Sequence, residues 1–396
     1  MSGLRFLTAG ESHGPELVTI VEGLPAGVPI ALEALDHELV RRQAGYGRGA
    51  RSTKIERDAA AVVSGLAGGR TTGAPVALRI VNRDFANQPA APRPLTTPRP
   101  GHADLAGRLK YGLRDFRTIR ERASARETAA RVAAGSLARA LLAPFGVELG
   151  SIVTAVGPVR SRLDRGIEGP AEFGLDQLDA ATLRTLCAAA EDDPLRCPEP
   201  ATSAEMARAV DGARAAGETL GGIFWVVATG VPAGLGSYVH WDRKLDGLLA
   251  QAVCSIHAVK GVEIGPAFAL AGAPGSTAQD HIERRDGAIT RPTNHAGGIE
   301  AGVTNGQPVL VRAAMRPLSS IRSSTASIDF ETGEPADPPY VRTDICAVPA
   351  AAVVAESMVA WVLATALLER FGSDRLDAML AAYAAVGDGD LLEVRR

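Results

Sequence analysis

Apolar positions recur along the chain at two spacings, and these divide it into strands and helices. Leu17 to Val21 follows a Gly-Glu-Ser-His-Gly turn and is rich in Val and Ile, which favour a pleated surface, so it predicts a strand. Val76 to Val81, Ile223 to Val231 and Pro308 to Met315 read the same way. Within 31–42, Leu32, Leu35 and Leu39 stand at helical spacing with charges elsewhere. From Ser124 to Phe145 the pattern is helical again, with Val132, Leu137 and Leu141 on its apolar face. Ser124-Ala-Arg-Glu127 reads as a capping box ahead of it, and Gly146 as its stop. Arg243 to Lys260 predicts an amphipathic helix, and Pro349 to Phe371 a long helix opened by proline.

The pattern fails in three places, which predict irregular structure. Residues 41–54, RRQAGYGRGARSTK, are rich in Gly and Arg and read as loop. Residues 82–101 carry five prolines, and a loop this long inside a compact domain predicts a lid or binding loop, placed at 82–103. Residues 160–200 are polar and interrupted, and read as a surface excursion. No repeat recurs at a fixed period and no regular βαβ spacing is present, so the fold class is α+β in one domain spanning 1–396.

Composition narrows the partners. A net charge of -3 argues against a general nucleic-acid binder, so any anion site must come from local clusters of arginine. Cys187, Cys197, Cys254 and Cys346 form no CxxC pair, and no H-E-x-x-H pattern exists, so no metal site is expected. Isolated thiols and an opening stretch without a signal-length apolar run predict a cytoplasmic protein. The apolar run Ser357–Leu368 is shorter than the roughly 18–20 residues a membrane span needs, and predicts a buried helix.

Four segments carry candidate chemistry. His13 sits among small residues in GESHG, which leaves an imidazole suited to proton transfer accessible. Arg41, Arg42, Arg48, Arg51 and Lys54 surround Gly45, Gly47 and Gly49, and forked guanidinium groups on a pliable backbone suit carboxylate and phosphate. His102 ends the proline-rich loop in RPGHAD. Beyond it Arg114, Arg117, Arg120, Arg122 and Arg126 lead into the helix at Ser124, whose free N–H groups favour an anion. Glycine-rich NHAGGIEAGVTNG, then RPLSS and Arg342-Thr-Asp344, are weaker signals when taken singly.

Together these segments resemble the chorismate synthase family. The likeness rests on GESHGPELVTIVEGLP (10–25), ERASARETAARVAAGSL (121–137) and RTDICAVPAAAVVAESM (342–358), with RPGHAD, VKGVEIG and HAGGIEAGVTNG between them. The resemblance implies a β-α-β sandwich with helices between antiparallel sheets, assembled as a homotetramer. It implies 1,4-anti elimination of phosphate from 5-enolpyruvylshikimate 3-phosphate, with reduced FMN required but not consumed. His13 would be the acid toward the leaving phosphate, His102 a proton donor to the flavin, and Asp344 the carboxylate near its reactive nitrogen. Arg42 and Arg48 would bind the anionic substrate or NADP. FMN contacts would fall at Arg122, Ala123, Ser124, His257, Ala258, Ala301, Arg316, Pro317, Leu318, Ser319, Ser320 and Arg342. This chain departs from the family's usual residues at Ala301 (commonly Gly), His257 (usually an amide) and Thr343 (often His).

The sequence leaves open whether the chain reduces its own FMN with NADPH or draws on an external flavin reductase. A reading from another class is a non-enzymatic anion- or RNA-binding protein using the arginine loops. Overall acidity and the lack of interleaved aromatics count against it. An NAD(P)H-dependent flavin reductase would need a nicotinamide site, and no fingerprint for one is present.

Overall fold

Two antiparallel sheets enclose a layer of helices in the computed structural model, which describes residues 3–90, 92–164, 174–285, 288–322, 326–339, 343–372 and 374–386. The first sheet contains β1 (Arg5–Ala9), β2 (Glu16–Glu22), β3 (Ala60–Ser64) and β4 (Val76–Val81), in the order β1-β2-β4-β3. Val76, Leu78 and Ile80 are buried while Arg79 and Val81 are exposed, so the period-two pattern gives this sheet one core face.

The second sheet contains β5 (Glu148–Val156), β6 (Val159–Arg160), β7 (Gly222–Thr229), β8 (Val259–Ile264) and β9 (Val309–Met315), ordered β8-β9-β7-β5-β6. Its middle strands are near-continuous apolar runs because both faces are covered. Phe224, Val226 and Ala228 enter the main core, while Trp225 and Val227 join Ile152, Leu183 and Leu310 in a smaller cluster outside it.

The helical layer contains α1 (Leu32–Gln43), α4 (Thr128–Leu142), α7 (Leu245–Cys254) and α8 (Val348–Phe371). Between α1 and α4 come α2 (Asp104–Tyr111) and α3 (Phe116–Arg122), and between α4 and α7 come α5 (Ala180–Glu191) and α6 (Pro200–Ala216). By length and apolarity α8 could cross a membrane, yet 89% of its most apolar window is buried inside the protein. It crosses α4 so closely that a Cβ on Gly135 would lie 2.3 Å from the Ser357 Cβ. Alanines 129, 130, 133, 134 and 138 of α4 are likewise buried, so the layer is packed with small side chains.

One carboxylate stands at the centre of this apolar layer. Glu356 is fully buried on α8 and accepts from Arg41 Nη1 at 2.8 Å, Arg139 Nη1 at 2.9 Å, Arg196 Nη2 at 3.1 Å and Ser151 Oγ at 2.6 Å. Burial alone would push its carboxyl up. The guanidinium groups of Arg41, Arg196 and Arg139 outweigh burial and hold it below the ordinary carboxylate range.

Several elements differ from the sequence expectation. The 160–200 stretch is not only surface: α5 covers the second sheet, and Leu195, Arg196 and Cys197 are buried, its polarity serving the Glu356 cluster. Residues 165–173 of that stretch lie outside the described residues. The glycine-arginine loop is partly helical, since α1 runs to Gln43 and Arg51–Ile55 forms one wide helical turn. The helix expected over 124–145 opens with a 3-10 turn, Ala125–Glu127. Ser124 Oγ caps it by accepting from Arg126 N, but Glu127 does not reciprocate and instead accepts from Thr8 and Arg131. The helix expected over 243–260 ends at Cys254, and Ala258, with φ of 65°, turns the chain into β8.

Replacing Gly135 by alanine overpacks the α4–α8 crossing and should cost about 1–3 kcal/mol, read as a lower melting temperature. Glu356→Gln leaves buried guanidinium groups without their counter-charge and should cost about 3–5 kcal/mol at neutral pH. Because the Glu356 pKa is depressed on folding, its contribution is complete above the ordinary value of 4.5 and is lost as pH falls below it. Stability of the Glu356→Gln variant, followed by denaturant titration, should therefore depend less on pH in the acid range than that of the parent.

Candidate active site

A cavity of about 540 Å³ opens where the N-termini of α8 and of the turn preceding α4 converge. That volume lies within the roughly 300–1,000 Å³ typical of small-molecule sites. Its floor is apolar and built from Ala347, which caps α8, and the small side chains Ala350, Ala351 and Val354 of that helix, with Ile256, Met315 and Leu318 beside them. Two helix N-termini add partial positive charge from backbone N–H groups.

Arginine dominates the rim, and part of its charge is met from behind by Asp58, Asp84 and Asp104. Among the described lining residues are eight arginines, at 42, 48, 51, 99, 117, 120, 126 and 316, against three carboxylates, Glu56, Glu121 and Asp344. Arg99 Nε, Arg117 Nε, Arg120 Nη1 and Arg126 Nη2 are buried without a hydrogen-bond partner. A buried donor left unpaired costs about 1–3 kcal/mol, more when charged, so four of them together mark a place for an anion. Burial pushes Arg42 down to about 10, with Asp58 opposing and Arg126 reinforcing the shift. Arg99 also falls to about 10, through burial and the nearby Arg120. Both remain cationic at neutral pH.

Two histidines face this space, each with a carboxylate behind it. His13 Nδ1 lies 2.8 Å from Glu121 Oε1, and its Nε2 lies 3.1 Å from Arg51 Nη1. His102 Nδ1 lies 2.6 Å from Asp104 Oδ1, and the other oxygen of Asp104 accepts from Arg120 Nε at 2.6 Å. The Pro-rich loop supplies a wall through Leu95, Arg99, Gly101 and His102, with one 3-10 turn at Arg83–Asn87.

Most residues nominated from the sequence meet here. His13, His102, Arg42, Arg48, Asp344, Ala123, Ser124, His257, Ala258, Arg316, Leu318, Ser319 and Ser320 all line the cavity. Three described residues do not join them. Arg122 turns its side chain to β1, where Nη2 donates to Thr8 O and Thr8 Oγ1, both at 2.9 Å. Pro317 is exposed and does not line the cavity. Ala301 lies in the exposed turn between Ile299–Glu300 and Val303–Thr304, with φ of 53°. There a Cβ is strained, so the glycine usual in the family is the easier residue. Arg342 lies outside the described residues.

The two nominated arginines are also more engaged than the sequence implied. Arg48 donates to Asp344, Ser52 and Gln43 O. Arg42 donates to Thr128, Asp58 and Ala125 O. The guanidinium groups with nitrogen to spare are Arg99, Arg117, Arg120 and Arg126. Arg117 and Arg120 belong to the run before the Ser124 turn and Arg126 to the turn itself, but no local spacing tells an arginine with a spare donor from one without. Asp344 accepts from Gly49 N at 2.6 Å as well as from Arg48, tying the glycine loop to the start of α8.

The cavity's chemistry fits a flavin mononucleotide: an apolar floor beside guanidinium groups that keep a free donor suits an aromatic ring system with a phosphate tail. His257 supports the fit. Its Nδ1 is buried without a partner, and burial, with Arg131 and His102 reinforcing it against Glu127, pushes its pKa down to about 4. A neutral imidazole then stands where the family usually has an amide, so the departure preserves a neutral hydrogen-bonding group.

Comparison with known proteins agrees with this arrangement. The family profile for chorismate synthase matches residues 4–368. The chain is 51% identical over 393 residues to the chorismate synthase of Moorella thermoacetica, covering 96% of this chain and 98% of the relative. It is 49% identical over 396 residues to that of Symbiobacterium thermophilum, covering 96% and 97%. A crystal structure of a chorismate synthase matches with a TM-score of 0.80 and 39% identity, over 99% of this chain and 98% of that one. A cavity of this chemistry, the two-sheet fold around it and these likenesses along almost the whole length place the chain in the chorismate synthase family.

Proposed function

We propose that this cavity eliminates phosphate from 5-enolpyruvylshikimate 3-phosphate to give chorismate, with reduced FMN bound beside the substrate. Membership of the family makes the chain a lyase of the shikimate pathway. The observation that carries the site assignment is the set of buried guanidinium donors without partners. A substrate bearing two carboxylates and a phosphate supplies the missing negative charge, and no other described surface collects such donors around an apolar floor.

Arg99, Arg120 and Arg126 bind and orient the anionic groups with charge-assisted hydrogen bonds. Arg42 and Arg48 act behind them, Arg48 by holding Asp344 and the glycine loop in place. His13 holds a proton for the leaving phosphate, and His102 presents its ring to the flavin side of the cavity. Reduced flavin held there would supply electron density to an elimination that has no net redox change. Ala123, Ser124, His257, Ala258 and Arg316 to Ser320 form the cofactor's surroundings, apart from the outward-facing Pro317. The electrons that first reduce it come from NADPH or from an external flavin reductase.

A cytoplasmic homotetramer completes the proposal. Leu7 and Ile20, paired across β1 and β2, are 68% and 43% exposed on the outer face of the first sheet, and Tyr238, Val239 and Trp241 are 72–78% exposed in one loop. Apolar surface of this kind supports subunit contacts. An RNA-binding role is disfavoured, since the unpaired guanidinium groups face into a cavity rather than along an open surface.

Under anaerobic conditions, one equivalent of chemically reduced FMN should support many turnovers, with phosphate and chorismate released together. Equal rates with oxidised FMN, or without flavin, would sink the assignment. Replacing His13 or His102 by alanine should slow turnover by about 10²–10⁴-fold while FMN binding, read by flavin absorbance, survives. Full activity in either variant removes that histidine from the reaction.

A further inference from the structure

We propose that Glu121 is a positioning residue: by accepting a hydrogen bond from the protonated Nδ1 of His13 it turns Nε2 of that ring toward the reacting phosphate. The inference rests on the reading of His13 as the acid. Neither nitrogen of His13 is free to choose its role. A guanidinium group can only donate, so Arg51 Nη1, at 3.1 Å, requires a lone pair on Nε2. The neutral ring must then carry its proton on Nδ1, where both Glu121 oxygens, at 2.8 and 3.1 Å, accept it. Asp84, 3.7 Å from Nε2, and Arg51 are the other charged groups facing the ring.

The same arrangement is built a second time across the cavity. Asp104 is fully buried, accepts from His102 at Nδ1 and is fixed by Arg120 and by Arg99 N. Arg120 and Glu121 are neighbours on α3, whose seven residues therefore set both rings, one through its carboxylate and one through the guanidinium that locks the other carboxylate. With Nδ1 held in each case, Nε2 is the atom turned to the cavity on both sides; the neutral His13 ring accepts from Arg51 there, and the ring acts as an acid only once a second proton on Nε2 has replaced that contact. Carboxylate–imidazole pairs fix tautomer and ring orientation in this way at other proton-transfer sites.

Glu121 also staples the N-terminal turn, accepting from His13 N at 2.6 Å through its side chain and from Ser12 N at 3.0 Å through its carbonyl. A purely structural role would be explained by those bonds, so the test must read the ring itself. Full-length protein labelled with ¹⁵N-histidine reports which nitrogen carries the proton. In the parent, neutral His13 and His102 should both be protonated at Nδ1, and a proton on His13 Nε2 would overturn the proposal without any variant. In Glu121→Ala, His13 should move toward the Nε2–H form while His102 keeps its own. The kcat should fall on the order of 10²-fold, with KM changed by less than about threefold. Glu121→Gln, which retains an oxygen to accept the Nδ1 proton, should keep the tautomer and recover about tenfold of the lost rate. An unchanged tautomer in Glu121→Ala, or a loss confined to KM, refutes the positioning role. If Glu121→Ala does not fold, the parent's tautomer and the Glu121→Gln rate decide the matter. Should His13→Ala turn over normally while the tautomer shifts as described, it is the acid role of His13 that fails.

Discussion

The molecule is organised around a negative charge where an apolar helix would ordinarily have none. Glu356 stands in the middle of α8, and a buried carboxylate without partners would be too costly to keep ionised. It therefore draws in Arg41 from α1, Arg139 from α4 and Arg196 from the segment ahead of α6. Three chain segments far apart in sequence are thus fixed to one point. Arg41 and Arg42 are adjacent near the end of α1, so anchoring the first toward Glu356 directs the second toward the cavity. The ionic core and the anion site are two sides of one helix end.

Much of this was legible from the chain alone. Strands at Val76–Val81 and Val309–Met315 and the long helix from Pro349 were readable because burial imposes a period, or a continuous apolar run, on each. The polar 160–200 stretch misled because charge there is not a mark of solvent: Arg196 is polar in order to meet Glu356 in the core, and no local pattern announces a partner 160 residues away. The helix expected over 243–260 is too long: it stops at Cys254, and Ala258, although alanine itself favours helix, takes a left-handed backbone that turns the chain into β8.

For the site, the histidines and arginine runs could be found as residue types, and the family resemblance gave them roles. What could not be read was the division of labour among the arginines. Arg42, at the end of α1, and Arg48, in the loop after it, form the most conspicuous cluster yet spend every nitrogen on the protein, whereas Arg99, Arg120 and Arg126 each retain a nitrogen without a hydrogen bond. That distinction depends on which carboxylates and carbonyls the fold brings near, a matter of tertiary geometry. The exchange of an amide for His257 is similar: the letter changes the chemistry on paper, and burial restores its neutrality.

The position of α8 in the chain bears on how the protein is made. Both sheets bury their inner faces against a layer whose central member begins only at Val348. A nascent chain of 347 residues has synthesised all nine strands of the two sheets and still lacks the surface on which they close. Until α8 leaves the ribosome, the apolar faces of β4, β5 and β7 stay open to water and to one another, so final collapse must await late synthesis. Apolar strand faces left open for that long favour association between neighbouring nascent chains over folding.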